Sequence, residues 1–599
     1  PNMVESITVL KDAAASSIWG ARAANGVIII TTKKAQFEDP LDIDFNLSYT
    51  LGKKPDFDYL PFMSSSDYID VERQLFNKGF YNTDINSTQR PVLSPVVDLL
   101  NKANKGQVTN EYATQQINQL RQIDVRDQYK KYMYVPLANR QYALNMASGG
   151  KNLSWSSSLG YDDNSGNLDE KYKRLNLRFQ NVWQPLKQLK ITSAVWLMQT
   201  NTQSGRSAYG SIIIKANGLP YMQFADAEGK ALVVPKTYNQ DYKTSLGSGK
   251  LLDWNYYPLT DWQHNISTAK NTEFVLSTGL NYKFAKGLEA EVKYQWQKRD
   301  GISETLRDEQ SYHTRNYINL YTVLNSDGTI KNNIPKGGIF GKSNSGSSAQ
   351  NLRGQLNWNH TWTDHSIAAI SGAEMRDINT DNISNTFYGY NPDQLTFTNV
   401  DYNQQYPRLI GGTSNFDGSA ILNRTTNRFV SLYANAAYTF KNRYTISASA
   451  RRDASNLFGL KTNDQWNPFW STGLAWNLSN EDFYALDWLP YLKLRGSYGF
   501  NGNIDPSMVA LTTIGFQPRV SNYTGTPMAS FTNYYNPNLR WETVSVTNAA
   551  LDFAIRNNRI SGSIEYFQKR GNNLFGVNPM DYTTGIASLV WNVAAMKGS

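Results

Sequence analysis

The sequence predicts an all-β protein, a large transmembrane antiparallel β-barrel. Three observations predict this fold: a polar composition rich in aromatic residues, repeated period-2 alternation, and tight turns that alternate with long polar stretches. In such barrels, lipid-facing apolar residues alternate with lumen-facing polar ones, and aromatic girdles mark the two membrane interfaces. The alternating segments number about 15 or 16 between Leu41 and Ser599 when they are counted by their period.

The composition favours a membrane barrel over a soluble enzyme. Only 40% of the 599 residues are hydrophobic, yet 13% are aromatic, with 37 Tyr and 15 Trp, and the mean hydropathy is −0.53. The longest apolar runs are short, residues 27–30 being typical, so no helix of roughly 20 residues that could span a bilayer is predicted. A closed barrel satisfies its backbone groups in lipid without one.

Cysteine content and charge exclude several classes of protein. The sequence has no cysteine, which excludes a disulfide scaffold and a thiolate metal site and fits an oxidising envelope. The formal net charge is +9, but no long Lys/Arg run and no nucleic-acid-binding motif accompany it, so we predict no nucleic-acid partner. No signal peptide is recognisable at Pro1, and we interpret the chain as processed or incompletely covered.

The first 34 residues form a compact zone rich in Ala, Ile and Gly. Val4–Leu10 is predicted to be a strand, Asp12 to cap a short Ala-rich helix, and Gly20 to end that helix. The pair Asn25-Gly26 is a hairpin-turn signal, and Val27–Thr31 is predicted to be a fully buried strand.

From about Leu41 onward the sequence alternates between apolar and polar residues. Between Val430 and Phe440, alternate apolar residues occupy one face, and Ser431, Tyr433 and Asn435 occupy the other. A residue period of two is that of a strand with one apolar face. The same pattern returns after the turn at 441–443, and again from Leu288 to Trp296, where Glu289, Glu291, Lys293, Gln295 and Gln297 form the polar face.

Tight turns and long loops are predicted to lie at opposite ends of the barrel, as in outer-membrane barrels. Aromatic residues such as Trp183, Phe284 and Phe440 stand beside the tight turns, where an interfacial girdle belongs. The tight turns are predicted near 185–186, 285–287, 363–365, 441–443 and 556–558. The long polar stretches are predicted at roughly 200–270, 300–349, 379–427 and 502–540.

A resemblance to a known family rests on residues 4–34, VESITVLKDAAASSIWGARAANGVIIITTKK. This segment resembles the end of the plug domain in TonB-dependent receptors of the SusC/RagA family. Trp19 stands where that pattern usually has Tyr. The residues that carry the plug signature, with a structural or gating role implied by the resemblance, are Asp12, Trp19, Gly20, Arg22, Asn25 and Gly26.

Later segments extend the resemblance in the family's order, including 148–168, 492–503 and 536–543. The resemblance implies a barrel of 22 strands in the complete protein, filled by an N-terminal plug. Residues 1–36 would then be the end of the plug domain and 37–599 the transmembrane barrel with long extracellular loops. The C-terminal strands of the barrel would be missing after Ser599.

The same resemblance implies partners and a location. A protein of this family is expected in the bacterial outer membrane, in contact with lipid, a SusD-like surface lipoprotein and an oligomeric nutrient. TonB would act through a segment that precedes Pro1, and a dimer of transporter–lipoprotein pairs is expected. No cofactor is implied.

The residues that could carry chemistry do not form a catalytic or metal-binding pattern. His360 and His365 are close in sequence but flank a predicted turn, and a metal site needs more converging ligands. Gly341-Lys342-Ser343 lacks the first glycine and the strand–helix context of a phosphate loop. We therefore predict no enzyme, no catalytic residue and no metal site.

Aromatic residues in the long loops are predicted to contact substrate or the lipoprotein, because rings stack on sugars and anchor protein contacts. Packing of the loops against one another is the alternative explanation. These residues are Trp254, Tyr256, Tyr257, Trp262, Tyr388 and Tyr390.

Two functions are compatible with the sequence. The first is TonB-dependent import of an oligosaccharide or oligopeptide across the outer membrane, and loop composition does not distinguish these substrates. The second is a structural or assembly subunit of a larger outer-membrane complex without transport, because fold does not fix function.

Overall fold

The computed structural model describes residues 4–10, 19, 26–59, 61–215, 218–418, 420–457, 467–503, 505, 508–521, 523–536, 538–585 and 587–599. Within these ranges the chain is mainly β-structure. The strands are β1 Val4–Leu10, β2 Val27–Thr32, β3 Asp42–Gly52, β4 Leu137–Gly149, β5 Leu153–Ser165, β6 Lys171–Leu186, β7 Leu189–Gln203, β8 Asn265–Ala285, β9 Leu288–Arg307, β10 Thr322–Leu324, β11 Ile330–Asn332, β12 Gly338–Trp362, β13 His365–Asn391, β14 Thr396–Thr398, β15 Tyr406–Pro407, β16 Thr413–Ser414, β17 Ile421–Phe440, β18 Tyr444–Ser455, β19 Asn467–Asn477, β20 Tyr491–Asn503, β21 Thr513–Val520, β22 Pro527–Asn533, β23 Glu542–Ala554, β24 Ser561–Pro579 and β25 Ser588–Gly598.

The helices of the described residues lie almost entirely in three connections between strands. They are α1 Ser65–Asn77, α2 Asn82–Ile85, α3 Pro95–Asn104, α4 Asn110–Leu120, α5 Val125–Gln128, α6 Gln240–Ser245, α7 Pro258–Asp261 and α8 Tyr312–Leu320, with a π-helical turn at Tyr129–Met133 and short 3₁₀ turns elsewhere. None of the helices in these ranges is long and apolar enough to cross a membrane.

The long strands form one closed antiparallel barrel in chain order, which confirms the predicted fold class and the strand count. The barrel contains β3–β9, β12, β13, β17–β20 and β23–β25, with the three-residue β14 beside β13. Paired residues join each of these strands to the next from β3 to β25, as β3 pairs with β4 and β24 with β25. The barrel order then places β25 next to β3.

Tight turns do alternate with long connections, but two predicted loop stretches are partly strand. Strand β12 is 25 residues long and β13 is 27, whereas about 9–11 residues cross a bilayer. They pair with each other from Trp362↔His365 up to Gly338↔Tyr390. The prediction of loops throughout 300–349 and 379–427 is therefore wrong. Strand that projects beyond the lipid needs no apolar face, so its sequence resembles a loop.

A helical insertion between β3 and β4 was not predicted. Helices α1 to α5 occupy residues 65–128, a region assigned to the alternating barrel pattern by sequence. Three of them begin at capping side chains: Ser64, Ser94 and Thr109 each accept a hydrogen bond from a backbone N–H three residues later. Such caps satisfy N–H groups that would otherwise lack partners in the first helical turn.

The helical insertion packs with the other long connections into a loop cluster at the long-loop end of the barrel. We define the loop cluster as residues 53–136, 204–264, 308–337 and 392–420. Its larger apolar core joins the helices to the connection after β7, and Ile69, Met133 and Phe224 in it are fully buried. Its smaller core surrounds α8, with Tyr321 and Tyr388 packed around Phe416.

At the N-terminus, β1 and β2 form a separate two-stranded antiparallel hairpin. Leu10 pairs with Val27, so residues 11–26 connect the strands and Asn25-Gly26 is not a two-residue turn between them. Within the residues that the structure describes, Ile28 and Ile30 of β2 are 66% and 59% exposed, because β2 pairs with β1 alone.

Candidate functional site

A chamber of about 840 Å³ lies between the N-terminal hairpin and the barrel wall in the residues that the structure describes. The hairpin side contributes Gly26, Val27, Ile28 and the nearby Lys34, and Trp19 adds its ring. The wall side comes mainly from β7–β9, β12, β13, β17 and β18. We call this space the lumen chamber.

The wall of the lumen chamber is built from three rows of side chains that run across the strands. Each row follows the register of paired residues, so its members are cross-strand neighbours with Cβ atoms about 5 Å apart. The rows are Lys190–Asn281–Glu291–Gln355–Gly372–Tyr433–Arg451, Thr192–Gly279–Lys293–Arg353–Glu374–Ser431–Asp453 and Ala194–Ser277–Gln295–Asn351–Arg376–Phe429–Ser455.

The residues between these positions point to the opposite side of the sheet. Leu352, Met375 and Leu432 are 46%, 55% and 51% exposed, and they alternate with the chamber residues along β12, β13 and β17. This is the alternation expected where one face meets lipid and the other a polar lumen. The polar faces predicted from sequence for Glu291 and Lys293 and for Ser431 and Tyr433 are confirmed as chamber-facing.

Tyr433 organises the middle of the wall. Its hydroxyl accepts a 2.7 Å hydrogen bond from Nε of Arg353 and donates one of 2.8 Å to Oε1 of Gln355. The guanidinium groups of Arg353 and Arg451 lie 5.3 and 5.6 Å from the centre of its ring, within cation–π range. Gly372 leaves room for the Tyr433 hydroxyl, because a Cβ at residue 372 would lie 2.5 Å from the hydroxyl oxygen.

The hairpin is tied to the wall by a side-chain contact. Arg178 on β6 donates hydrogen bonds to Oγ1 of Thr32 at 3.1 Å and to Oε1 of Gln180 at 2.8 Å. Of the predicted plug-signature residues, Trp19 and Gly26 border the lumen chamber. The others, Asp12, Gly20, Arg22 and Asn25, lie outside the described residues, as does the predicted helix between them.

Three of the six predicted loop aromatics are buried and hold the loop cluster together. Trp254 and Tyr256 are 5% exposed and belong to the larger core, and Tyr388 is 2% exposed in the smaller one. Trp254 donates its indole N–H to Asn316 at 2.7 Å. Their contacts are loop packing, the alternative that the sequence left open.

The other three loop aromatics are partly accessible, and they lie in different places. Tyr257 lines an open pocket of about 490 Å³. Trp262 lies beneath the guanidinium of Arg206, 5.2 Å from it, and Tyr390 stacks on Phe340 with ring centres 4.6 Å apart. Contact with substrate or a lipoprotein is therefore sterically open to these three residues.

The histidines have individual roles in packing and hydrogen bonding. His264 meets Asp308 at 2.8 Å, and His365 contacts the Tyr438 hydroxyl at 2.6 Å. Burial lowers the pKa of His313 to about 4, so its ring is neutral at physiological pH. Among the residues that the structure describes, no three His, Cys, Asp or Glu side chains converge as a metal site would require.

A buried carboxyl group joins the helical insertion to the connection after β7. Glu72 on α1 is 4% exposed and accepts a 2.5 Å hydrogen bond from the Tyr221 hydroxyl. Burial raises the pKa of the Glu72 carboxyl above its ordinary value of 4.5. Between pH 4.5 and the raised pKa, the Glu72 carboxyl binds a proton in the folded state but not in the unfolded state. Stability therefore falls as the pH rises through this range.

We therefore expect Glu72→Gln to stabilise the loop cluster at pH 7. The amide cannot ionise, so it avoids the desolvation that raises the pKa of the carboxyl, and its oxygen can still accept the Tyr221 hydrogen bond. Amide hydrogen exchange of α1 should slow severalfold at pH 7, and its dependence on pH above 4.5 should flatten. The exposed Glu111→Gln is the control and should change neither. Faster exchange in Glu72→Gln would contradict this assignment.

Comparison with known proteins identifies the family to which this barrel belongs. Residues 223–597 match the family described as TonB dependent receptor-like, beta-barrel. The chain is 24% identical over 607 residues to TonB-dependent receptor P39 of Formosa agariphila, covering 100% of this chain and 50% of that protein. It is also 24% identical to TonB-dependent receptor SusC of Bacteroides thetaiotaomicron, covering 100% and 53%. The chain thus spans about half the length of these relatives.

Solved structures support the same fold. The RagAB peptide importer in its closed-closed state superposes with a TM-score of 0.73 at 21% identity, covering 100% of this chain and 62% of that one. A second structure of the RagAB peptide transporter gives a TM-score of 0.71. The resemblance to SusC/RagA proteins inferred from the N-terminal motif is thereby confirmed.

Proposed function

Because the chain belongs to the TonB dependent receptor-like β-barrel family, we propose that it forms the conduit of an importer for an oligomeric nutrient. Barrels of this family lie in the bacterial outer membrane, and they are transporters and receptors rather than enzymes. The exposed apolar residues that alternate with the chamber residues, such as Leu352 and Leu432, are the surface that lipid covers.

The lumen chamber is the observation that supports import most directly. Its wall combines amide, hydroxyl and charged side chains with the ring of Phe429. Such a surface offers hydrogen bonds and stacking to a polar oligomer, whether an oligosaccharide or an oligopeptide.

Movement of the N-terminal hairpin would open the path. The contact between Arg178 and Thr32 is one that a pull on the hairpin has to break. A net hydrogen bond to a charged group is worth about 1.5–3 kcal/mol, so a modest force would shift the population toward an open state. In this proposal TonB supplies that force through a part of the protein outside this chain.

The loop cluster would receive cargo from a SusD-like surface lipoprotein. Its two apolar cores make it a rigid platform rather than a set of mobile loops. Tyr257 and Trp262 lie in the part of the platform that remains accessible. The RagAB relative is described as a peptide importer, which supports a peptide cargo, and a dimer of transporter–lipoprotein pairs is the assembly we propose.

Gentle detergent extraction of the native complex, followed by mass spectrometry, tests this function. We expect one lipoprotein partner in equal amount, together with bound oligopeptide or oligosaccharide. A matched preparation from cells that lack the gene controls for contaminants. Several unrelated envelope proteins without any oligomer would contradict import and support a structural subunit.

A further inference from the structure

A groove of about 650 Å³ crosses strands β17 to β20 on the side of the barrel that faces lipid. Its lining includes Tyr438 and Phe440, which share a face of β17 with the exposed Leu432, because successive side chains of a strand alternate between its two faces. The groove therefore lies on the opposite side of the wall from the lumen chamber and the N-terminal hairpin. We call it the lipid-side groove.

The rim of the lipid-side groove is a row of aromatic rings at the level of a tight turn. Phe440 and Tyr444 flank the turn at 441–443 and pair with each other, and Trp476 pairs with Tyr444 on the next strand. Tight turns lie at the periplasmic end of outer-membrane barrels, and aromatic rings concentrate at the membrane interface. The rim thus stands at the depth of the lipid head groups in the periplasmic leaflet.

The floor of the groove lies deeper in the membrane and ends at a glycine. Ile446, Leu474 and Gly496 pair in turn across β18, β19 and β20, two residues further from the turn than the rim. Ile446 and Leu474 are 53% and 63% exposed, whereas Gly496 has no side chain to fill the space beside them. A Cβ at residue 496 would find its nearest neighbour, the carbonyl oxygen of Asn548, 3.8 Å away, so the space over the glycine is open.

The rings of the rim are held in place by hydrogen bonds. The Glu481 carboxylate accepts the indole N–H of Trp476 at 2.8 Å and a hydrogen bond from Arg443 at 3.1 Å, and the Tyr444 hydroxyl also hydrogen-bonds to Glu481. The rings of Tyr444 and Trp476 are inclined by only 19°. A groove whose walls are already ordered loses less conformational entropy when it binds a ligand.

The charged groups beside the rim carry both signs. Lys441 and Arg443 are the cations, and Glu481 and Asp482 are anions that both meet Arg443. The Asp482 side chain is 90% exposed, and Asp364 adds a further exposed carboxylate next to the turn, where its backbone oxygen accepts the Lys441 N–H. A head group with both a phosphate and an ammonium complements such a rim better than a purely anionic one.

We propose that the lipid-side groove binds one acyl chain of a zwitterionic phospholipid from the periplasmic leaflet, with its head group at the charged rim. The hydrophobic effect does not favour the groove over the surrounding lipid, because lipid tails are as apolar as the groove. Selection comes instead from the close packing of the chain against ordered side chains and from the charges at the rim. The site is independent of which oligomer the barrel imports.

Native mass spectrometry of the purified, delipidated full-length protein tests this site. The protein is titrated with palmitoyl-oleoyl phosphatidylethanolamine, which is zwitterionic, or with the matching phosphatidylglycerol, which is anionic. The tightest phosphatidylethanolamine site of the wild type should prefer that lipid over phosphatidylglycerol at least threefold. Asp482→Asn should abolish most of this preference, because it removes the exposed carboxylate and frees Arg443 to meet a phosphate.

Filling the groove separates acyl-chain binding from general contact with lipid. Gly496→Leu should weaken the tightest phosphatidylethanolamine site about 10-fold, because its side chain occupies the space of the acyl chain and removes many packing contacts. Gly354→Leu is the matched control. Gly354 lies between the exposed Leu352 and Leu356 on the lipid-facing side of β12, and a Cβ there meets nothing within 4 Å, so this variant should bind like the wild type.

Each outcome decides the proposal. Wild-type affinity in Gly496→Leu, or an equal loss in Gly354→Leu, would overturn it. Unchanged lipid binding together with a shift from dimer to monomer in Gly496→Leu would show that a second copy covers the groove. If Gly496→Leu loses heat-modifiable folding on gels, Gly496→Ala decides, since it should weaken binding about threefold and a wild-type affinity would overturn the site. Equal affinity of the wild type for the two lipids would overturn the assignment of a zwitterionic head group.

Discussion

Replacing Phe224 by alanine is expected to destabilise the loop cluster by about 3–5 kcal/mol while the barrel stays folded. The Phe224 side chain is fully buried, and its ring meets that of Tyr129 edge to face at 4.9 Å. Its backbone N–H also donates to Gln128 at 3.1 Å. The truncation leaves a cavity at the junction between the helical insertion and the connection after β7.

Hydrogen exchange on the full-length protein in detergent measures this effect. Amides of α1 and α4 should exchange roughly 100-fold faster or more, since each 1.4 kcal/mol is a factor of ten, if they open with the cluster as one unit. Amides of β8 and β9 should not change. The control is Phe80→Ala, because Phe80 lies in the same insertion but is 68% exposed. Simultaneous melting of barrel and helices in Phe224→Ala would show that the cluster is not a separate unit.

Gly26→Val is expected to have the second largest effect, on the N-terminal hairpin. Gly26 has a φ of +89°, and a Cβ there would lie 3.0 Å from the carbonyl oxygen of Leu10. The left-handed region costs ordinary residues about 1–2 kcal/mol, and β-branched residues tolerate it poorly. The close contact adds to this, so the hairpin should lose about 2–3 kcal/mol.

Exchange of the β1 and β2 amides should then accelerate, and import should fall because the hairpin no longer seals against the wall. Gly106→Val is a matched control. Its φ of +68° imposes similar strain, but nothing lies within 4 Å of the added Cβ, and it belongs to the loop cluster. If Gly26→Val keeps both import and hairpin protection, the assignment of this hairpin as part of the gate is wrong.

Periodicity in the sequence predicted the barrel and the direction of many side chains. The turn at 441–443 is an example, because its position fixes which residues of β17 and β18 share a face. Lys441 and Asn442 adopt positive φ there, as a tight hairpin turn requires. Ser431 and Tyr433 were assigned to the polar face by period alone, and both face the chamber side.

The chamber itself could not be predicted, because it depends on which residues of different strands become neighbours. Arg353 lies opposite Glu374 and Lys293, and this register follows from the shear of the whole barrel rather than from any single hairpin. The ends of β12 and β13 were predicted to be loops, because strand segments that project beyond the membrane are polar and lack an apolar face. The helical insertion was missed although Ser94-Pro95 at the start of α3 is a recognisable helix-start signal.

In the proposed function, imported oligomers pass through the lumen chamber, and blocking that chamber shows whether they do. Because these 599 residues contain no cysteine, a single introduced thiol can be labelled selectively, provided that the rest of the full-length protein is also free of cysteine. Asn351→Cys places the thiol in the chamber, and Gln394→Cys places it on an exposed loop as the control. Both would be labelled in living cells with a bulky, reducible biotin reagent, and the extent of labelling measured.

Labelled Asn351→Cys cells should lose uptake of the oligomer that co-purifies with the protein, in proportion to the labelled fraction, and regain it when the label is removed by reduction. Labelled Gln394→Cys cells should import at the unlabelled rate. Undiminished uptake by fully labelled Asn351→Cys cells would contradict a path through the lumen chamber.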